Sequence, residues 1–390
     1  MYTVKRILVV LTVSWLLGIT PCLWAQGGSP IGRGVQATRA FRAGTQAPIQ
    51  TEKALSEAVV RSLARKGTGK FQNSVFCGRG KKGENAWSGS VFTFEENGEK
   101  KIYGLVAAHS LAKMPTDFIT AAAADYALHR TFQLEMFDKK GQMHTIPGKV
   151  VWLSSPMMWD VALVEFAPLD ENLFTPFELS DKLPSLGDIV QQQGFSKNLS
   201  IYIPNRQVID ITPLSFRTTM PFDRFKRAGL CGSPVFIEEE NMVGNPVLKL
   251  VGVHTGSFPK GSIDEDIGYF TPSSFLRRFV EDYRSGGKMQ FPITFRGKEM
   301  FSIAASEYIH SVILFDNEGR EITRHKFENK FSYRKVESLV DTYGPHELEF
   351  VIKRFQWAKS RPDYVECSKA SRRVRYSLRQ GSIVSQQRYH

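Results

Sequence analysis

Between residues 71 and 272, apolar and polar positions alternate in short runs, the pattern of β-strands with one buried face. Turn signals such as Asn97-Gly98 and Lys140-Gly141 separate the runs. Strands of this kind, repeated over such a length, predict a mainly β fold. The runs with the clearest pattern are 89–94, 103–108, 132–137, 148–153, 160–166, 188–193 and 248–253.

Two segments instead have the period of amphipathic helices. In residues 51–66 the apolar side chains share one face, and Thr51 and Gly67 stand where a cap and a stop are expected. Residues 272–283 place four large apolar side chains in the same register: Phe275, Leu276, Phe279 and Tyr283. We therefore expect one helix before the β region and another at its end.

Beyond the second helix the alternation resumes. Residues 285–287 (Ser-Gly-Gly) have the composition of a linker, and alternating runs at 310–316 and 347–352 follow it. This pattern predicts a small β-sandwich-like domain over residues 288–358. The remaining residues, 359–390, are rich in Arg, Ser and Gln and predict a basic flexible tail.

The first 25 residues have the three parts of a secretory signal peptide. Lys5 and Arg6 precede an apolar run over residues 7–18, and Leu23-Trp24-Ala25 ends in a small residue suited to signal peptidase. The run is shorter than the roughly 20 residues that span a bilayer. We expect an exported protein, periplasmic or secreted, with residues 26–70 as a basic linker and short helix. An uncleaved anchor is the alternative.

The formal net charge of +12 comes from the two ends of the chain. Residues 27–70 hold eight basic and two acidic side chains, and residues 353–390 hold ten basic and two acidic ones. Such ends could contact anionic surfaces. No basic groove interleaved with aromatic residues accompanies them, so no specific nucleic-acid partner is expected. Nothing in the pattern specifies an oligomeric state.

The four cysteines bear on both compartment and chemistry. Loss of Cys22 with the signal peptide would leave Cys77, Cys231 and Cys367. This odd number implies at least one unpaired thiol or an intermolecular disulfide in an oxidising compartment. No Cys or His spacing of a zinc site occurs, so neither a metal nor another cofactor is expected.

Three short motifs carry candidate chemistry: AAHSL around His109, WDVALVEF around Asp160 and GLCGSPVF around Cys231. Nucleophilic acyl transfer needs a nucleophile, a base of near-neutral pKa and a carboxylate that orients the base. A histidine ending a strand, an aspartate opening a buried strand and a cysteine in a glycine-rich turn supply these roles. Gly229 and Gly232 allow the N–H groups of Gly229 and Cys231 to converge as an oxyanion hole.

These motifs resemble those of the chymotrypsin-like (trypsin-fold) proteases. Ala107-Ala108-His109 is similar to the family's Ala-Ala-His, and the DVAL that begins at Asp160 to its Asp-(Ile/Val)-Ala-Leu. Residues 229–234 are similar to its Gly-Asp-Ser-Gly-Gly-Pro, with cysteine in place of serine, and residues 186–195 resemble the first strand pair of its second barrel.

The resemblance covers residues 71–284 and implies a chymotrypsin-like double β-barrel, with barrels at about 71–180 and 181–284. It also implies an endopeptidase that acts on a peptide or protein substrate without a cofactor. In that family the residues that match His109, Asp160 and Cys231 form the catalytic triad.

A narrower likeness is to picornavirus-type cysteine proteases and bacterial trypsin-like peptidases. It rests on residues 227–232 and on the Gly-Val-His-Thr-Gly of residues 252–256. By this resemblance, His254 lines the primary specificity pocket and selects Gln or Glu before the scissile bond. Lys226 stands where the picornaviral proteases have a threonine. A lysine near His254 would favour an acidic substrate side chain over Gln.

Alternatives stay open at each of these positions. Cys231 could form a disulfide with Cys77 or Cys367, and His254 could be a structural histidine with no substrate contact. If turnover has been lost, the protein would be a protease-like binding module or scaffold. Three other aspartates compete with Asp160 without opening an apolar strand: Asp117, Asp125 and Asp138.

Overall fold

The structure is a computed structural model. It describes residues 71–79, 85–111, 131–167, 169–170, 172–196, 199–219, 229–240, 244–257, 267–327, 330–354 and 370–388. The predicted signal peptide, the basic linker and the predicted helix over residues 51–66 lie outside these ranges, as do Cys22, Lys226 and Cys367. None of the described helices has the length and apolar character to cross a membrane.

The first barrel is a closed ring of six antiparallel strands in the order β1-β4-β5-β6-β3-β2, with β2 pairing back to β1. Along one strand of this ring, Ile146 and Val150 are buried, and Pro147 and Lys149 between them are exposed to solvent. The strands are β1 (Val75–Arg79), β2 (Asn85–Glu96), β3 (Glu99–Ala107), β4 (Thr131–Phe137), β5 (Met143–Leu153) and β6 (Val161–Phe166).

A short strand, β7 (Phe177–Leu179), connects the two barrels, because it pairs in parallel with β2 and with a strand of the second ring. That second ring is also closed and antiparallel, in the order β12-β11-β8-β9-β10-β13 and back to β12. Its strands are β8 (Ile189–Ser196), β9 (Leu199–Ile211), β10 (Phe216–Thr219), β11 (Pro234–Glu240), β12 (Pro246–Ser257) and β13 (Ile267–Pro272). Two six-stranded closed barrels in sequence are the chymotrypsin-like architecture, and the predicted mainly β fold is confirmed.

Helix α1 (Ser273–Arg284) follows the second barrel, as the periodic pattern predicts. Its buried face includes Phe275, Leu276, Phe279 and Val280. The Trp159 ring stacks on Phe275, with 4.7 Å between ring centroids. The helix therefore packs against the loop that leads into β6.

The C-terminal body consists of a hairpin, a five-stranded antiparallel sheet in the order β17-β16-β18-β19-β20, and one helix. The helix, α2, begins after Ser332, which accepts a hydrogen bond from Lys335 N, and ends at Gly344 in the left-handed region. The described elements of the C-terminal body are β14 (Phe291–Phe295), β15 (Lys298–Ile303), β16 (Glu307–Phe315), β17 (Glu321–Lys326), α2 (Tyr333–Tyr343), β18 (Glu347–Arg354), β19 (Ala370–Ser377) and β20 (Ser382–Arg388).

The structure corrects the predicted organisation of the C-terminal region in two respects. Residues 285–287 are a tight turn and no linker, since Gly286 and Gly287 have positive φ and one hydrophobic cluster includes residues of both barrels and of the C-terminal body. Residues 370–388 form β19 and β20, so the prediction of a flexible tail is wrong there. The arginines of β19 pair with acidic side chains of β16 and β18: Arg372 with Glu307, Arg373 with Glu349, and Arg375 with Glu347.

Candidate active site

Strand register brings His109 and Asp160 together. His109 lies in a short 3-10 helix (Ala108–Leu111) that ends β3, and Asp160 directly precedes β6. Since β3 and β6 pair with Ala107 opposite Val161, His109 and Asp160 are neighbours at the same end of the first barrel. Ala108 N–H also donates to the Asp160 carbonyl at 3.0 Å.

The Asp160 carboxylate receives both hydrogen bonds that orient the imidazole. His109 Nδ1 lies 2.6 Å from Oδ2, and the His109 backbone N–H donates to Oδ1 at 2.9 Å. The carboxylate is fully buried. This geometry leaves Nε2 as the ring nitrogen that can exchange a proton with a nucleophile.

The loop before β6 presents the carboxylate in a constrained backbone conformation. Asp160 has φ 58, in the left-handed region that few residues other than glycine, Asn and Asp occupy. The N–H groups of Met158, Trp159 and Asp160 all donate to the Ser155 carbonyl, at 3.0 to 3.1 Å. A single acceptor thus holds the turn that aims the carboxylate at His109.

Asp160 has a second cationic neighbour that the sequence did not reveal. Lys330 Nζ, from the segment between β17 and α2, lies 3.3 Å from Oδ2. Burial alone would raise the pKa of the Asp160 carboxyl, but the charges of His109 and Lys330 outweigh it and hold this pKa below its ordinary value. Asp160 is therefore ionised at neutral pH.

The turn that carries Cys231 depends on glycine at specific positions. Gly229 and Gly232 have φ 99 and φ 91. A Cβ atom at residue 232 would lie 2.0 Å from the carbonyl oxygen of Ser88, a distance that no side chain tolerates. Glycine at 232 is thus required by both backbone conformation and close approach.

Ser88 of β2 fixes this turn against the first barrel. Its N–H donates to the Cys231 carbonyl at 3.0 Å, and its hydroxyl donates to the Gly229 carbonyl at 2.6 Å. The same hydroxyl accepts a hydrogen bond from Phe195 N–H at 2.8 Å. A buried serine between two barrels is unremarkable in sequence, so its role became visible only in the structure.

We predict that Gly232→Ala lowers the free energy of unfolding by about 3 kcal/mol or more, because it adds both backbone strain and a clash. Gly98→Ala is the matched control: Gly98 has φ 80, but a Cβ atom there meets nothing within 4 Å. It should therefore lose only about 1 kcal/mol. Urea denaturation of the full chain measures both values, and equal losses would contradict the close approach to Ser88.

The Cys231 side chain is partly exposed and within hydrogen-bonding reach of the His109 ring. Burial alone would lower the pKa of His109, but its interactions with Asp160 and Cys231 raise it to about 10. The His109 ring is thus flanked by the Asp160 carboxylate on one side and by the Cys231 sulfur on the other.

The oxyanion-hole residues predicted from sequence have the required freedom. Gly232 N–H donates to the His254 carbonyl at 2.8 Å, and Ser233 N–H donates to the Leu230 carbonyl at 2.9 Å. In the part of the chain that the structure describes, neither Gly229 N–H nor Cys231 N–H donates a hydrogen bond. No described residue occupies either donor, and an oxyanion hole needs donors of this kind.

His254 lies in β12 directly beneath the turn and is only 1% exposed. Its Nδ1 is 3.1 Å from the Leu230 carbonyl, which can only accept, so Nδ1 carries the proton. Burial, followed by the nearby charge of Arg206, lowers the pKa of His254 to about 3, although carbonyls of Leu230 and Gly256 offset part of the shift. The ring is neutral, and its Nε2 makes no hydrogen bond of normal geometry with the described residues.

Arg206 of β9 is a further residue that sequence reasoning missed. It is fully buried, lies 4.8 Å above the Phe270 ring and donates to Thr218 Oγ1 at 2.7 Å. A short chain of hydrogen bonds leads from Arg206 to the turn that carries Cys231, since Arg206 donates to Gln192 and Gln192 donates to Ser233 Oγ. A cation is therefore built into the floor below His254.

The structure decides against one of the competing aspartates and one of the two possible disulfides. Asp138 pairs with His144 Nε2 at 3.0 Å and not with His109, whereas Asp117 and Asp125 lie outside the described residues. Within the described part of the chain Cys231 is a free thiol and is not joined to Cys77, whose Sγ lies 4.0 Å from Glu135 Oε2. Lys226 and Cys367 lie outside the described residues.

No protein-family model matches the sequence, and none of the curated proteins is detectably similar to it. Among solved structures, the MamO protease domain from Magnetospirillum magneticum is similar over 54% of this chain and 96% of that one, with 16% identity and a TM-score of 0.34. A Sesbania mosaic virus structure, from work on the coupled folding and binding of its intrinsically disordered VPg protein, covers 54% of this chain and 92% of its own, with 16% identity and a TM-score of 0.36. Scores this low carry no argument by themselves, and the double-barrel fold rests on the strand pairings of this chain.

Proposed function

We propose that the protein is an endopeptidase that cleaves peptide bonds through Cys231, His109 and Asp160. The observation that carries this proposal is the position of the His109 ring, between the buried Asp160 carboxylate and the Cys231 thiol. A base held by a carboxylate and facing a nucleophile, inside a double barrel, is the arrangement needed for acyl transfer.

The proposed reaction begins with the thiolate of Cys231 attacking the carbonyl carbon of the scissile peptide. The oxyanion that forms accepts hydrogen bonds from the N–H groups of Gly229 and Cys231. His109 then donates its proton to the leaving amine, the C–N bond breaks and a thioester remains on Cys231. Neutral His109 next takes a proton from water, whose oxygen attacks the thioester carbonyl carbon. The C–S bond then breaks, the acid product is released, Cys231 leaves as a thiolate, and the proton stays on His109.

Export remains part of the proposal. The apolar leader and the small residue at Ala25 support a mature chain that starts after residue 25 in an oxidising compartment. In such a place Cys231 must stay reduced to act, so the working enzyme depends on a thiol that is not drawn into a disulfide. The described part of the chain leaves Cys231 as a free thiol.

The environment of His254 changes the expected specificity. With the proton on Nδ1, Nε2 of the neutral ring is a hydrogen-bond acceptor that is buried and makes no hydrogen bond with a described residue. A substrate side chain that reached it would pair through an amide N–H₂, whereas a carboxylate would be repelled. The buried charge of Arg206 acts in the opposite direction, but it also keeps His254 from taking up the proton that a carboxylate would need. We therefore favour Gln before the scissile bond and no longer favour an acidic residue.

We predict at least about tenfold higher kcat/KM for a peptide with Gln than for the same peptide with Glu at pH 7.5, because Glu leaves the Nε2 acceptor unpaired or opposed. Paired synthetic peptides that differ only at that residue measure the ratio. A preference for Glu would mean that His254 is protonated in the complex. Equal rates would make His254 a support for the Cys231 turn alone.

The experiment that tests the activity itself is cleavage-site profiling of a proteome-derived peptide library with the wild type and with Cys231→Ala. Cleavages that require Cys231 would support the peptidase. If the profile with wild type matches that with Cys231→Ala, the alternative of a protease-like binding module is favoured, because the folded barrels would then lack turnover.

A further inference from the structure

The loop that carries Asp160 is held by the C-terminal body as well as by the first barrel. Ser155 N–H donates to the Ala305 carbonyl at 2.9 Å, and Phe331 N–H donates to the Met157 carbonyl at 2.9 Å. Ala305 follows β15, and Phe331 precedes α2. Two backbone hydrogen bonds from separate parts of the C-terminal body therefore grip the five residues that precede Asp160.

Aromatic packing adds a third attachment at the same loop. Trp159, the residue before Asp160, is buried between Phe275 of α1 and Phe291 of β14, with ring centroids 4.7 and 5.0 Å away. Its carbonyl accepts a hydrogen bond from the Thr271 hydroxyl of β13. The loop is thus fixed jointly by the second barrel, α1 and the C-terminal body.

Lys330 brings a charge from the C-terminal body to the carboxylate itself. Its Nζ lies 3.3 Å from Asp160 Oδ2 and 3.4 Å from the Thr255 carbonyl in β12. The side chain is 28% exposed, whereas the carboxylate is fully buried. One ammonium group thus contacts a residue of each barrel from a position in a third body.

The polar contacts that the Asp160 carboxylate makes with the described residues can all be assigned. Oδ1 accepts from the His109 backbone, and Oδ2 is shared by His109 Nδ1 and Lys330 Nζ. Cys231 lies beyond the imidazole, and His254 and Arg206 lie deeper in the second barrel. Two cationic groups therefore compete for one buried oxygen.

We propose that Lys330 is a positioning residue of the active site, through which the C-terminal body fixes Asp160 and sets the proton affinity of His109. The proposal rests on the proposed function, since the setting of His109 affects turnover only if Cys231 is the nucleophile. It assigns the C-terminal body a direct part in the catalytic apparatus and not only a part in binding partners.

The charge of Lys330 has a predictable sign. An ammonium near an imidazolium disfavours protonation of the ring, and it also draws on the carboxylate that stabilises the imidazolium. Removing it should shift the titration midpoint of His109 upward by on the order of one pH unit. An arginine at this position keeps the charge, so it should leave the midpoint close to that of the wild type.

The test is a pH titration of His109 by NMR in the full chain, with wild type, Lys330→Met, Lys330→Gln and Lys330→Arg. The expected result is an upward shift in Lys330→Met and Lys330→Gln and recovery in Lys330→Arg. Lys249→Met is the matched control, because Lys249 forms a 2.7 Å ion pair with Glu178 away from Asp160, and it should not move the midpoint. Lys330→Gln keeps a hydrogen-bond donor, so the measurement can be made even if Lys330→Met does not fold.

An unchanged His109 midpoint in folded Lys330→Gln would overturn the inference. The alkylation rate of Cys231 by iodoacetamide, recorded on the same samples, separates this failure from failure of the proposed function. A wild-type Cys231 that reacts like an ordinary thiol would refute the peptidase, whereas the His109 titration would still decide whether Lys330 acts on the ring.

Discussion

Cys231→Ala should lower kcat/KM for peptide cleavage by at least about 10,000-fold while the protein remains folded. The loss follows because the alanine side chain has no sulfur to attack the scissile carbonyl carbon. No thioester can then form, and the proton transfer from His109 to the leaving amine does not take place. Fold is expected to persist, since the turn is held by backbone hydrogen bonds from Ser88 and His254 that the substitution leaves in place. Cleavage of the best peptide from the library, followed by mass spectrometry, measures the effect.

The control for this prediction is the other cysteine that the structure describes. Cys77→Ala removes a buried thiol of β1 in the first barrel, outside the site, and should leave kcat/KM within about twofold while costing some stability. If Cys231→Ala cleaves as well as the wild type, the nucleophile has been assigned wrongly. Loss of activity in both variants would indicate an effect of stability, which the urea midpoint of each protein would reveal.

Asp160→Asn is expected to lower kcat/KM by about 1,000- to 10,000-fold. Asparagine fits the buried site and tolerates the left-handed backbone at this position, so the loss comes from the missing charge. Without it, the pKa of His109 should fall from about 10 towards its ordinary value near 6.5, because the carboxylate is a main cause of the upward shift. The imidazolium that protonates the leaving amine is then scarce above neutral pH.

A steady-state pH profile and the NMR titration of His109 measure this second effect. Asp138→Asn is a matched control, because Asp138 also pairs with a histidine in the first barrel, at 3.0 Å, but lies outside the site. It should leave the His109 midpoint unchanged. If Asp160→Asn keeps the high midpoint, the thiolate and not the carboxylate governs the ring, and the orienting role of Asp160 is refuted.

The parts of the site that could be predicted are those with local signatures. His109 ends an apolar strand, Asp160 opens one and Cys231 stands between glycines, so each position is marked by the residues beside it. The strand register of β3 and β6 then brings the first two together. Local patterns thus predict the succession of strands along the chain and the residue type at each strand end.

The parts that could not be predicted depend on contacts between distant segments. Ser88 and Lys330 lie 141 positions or more from the Cys231 turn and the Asp160 carboxylate that they respectively support, and neither belongs to a recognisable motif. The sequence predicts a flexible tail for the arginines of β19, because their acidic partners belong to β16 and β18, at least 24 positions away in the chain. Charge composition alone does not reveal such pairing across a sheet.

His254 shows a third kind of limit, in which the residue was found but its chemistry was not. Its position suggested a pocket histidine, and the expectation of an acidic substrate followed from Lys226. The protonation state of the His254 ring depends on the Leu230 carbonyl and on buried Arg206. Only the packing of the folded chain brings these groups next to the ring. Which nitrogen of the His254 ring donates and which accepts can therefore be assigned only from the folded structure.

The most direct test of the proposed thiolate–imidazolium pair is the rate at which iodoacetamide alkylates Cys231 between pH 5.5 and 9, located by peptide mapping. An ordinary thiol with a pKa near 8.5 is almost wholly protonated at pH 6 and reacts slowly there. We predict that Cys231 reacts rapidly at pH 6, with a nearly constant rate up to pH 9, and that His109→Ala abolishes this behaviour. A rate that rises tenfold per pH unit through this range in the wild type, or a Cys231 already held in a disulfide, would contradict the account.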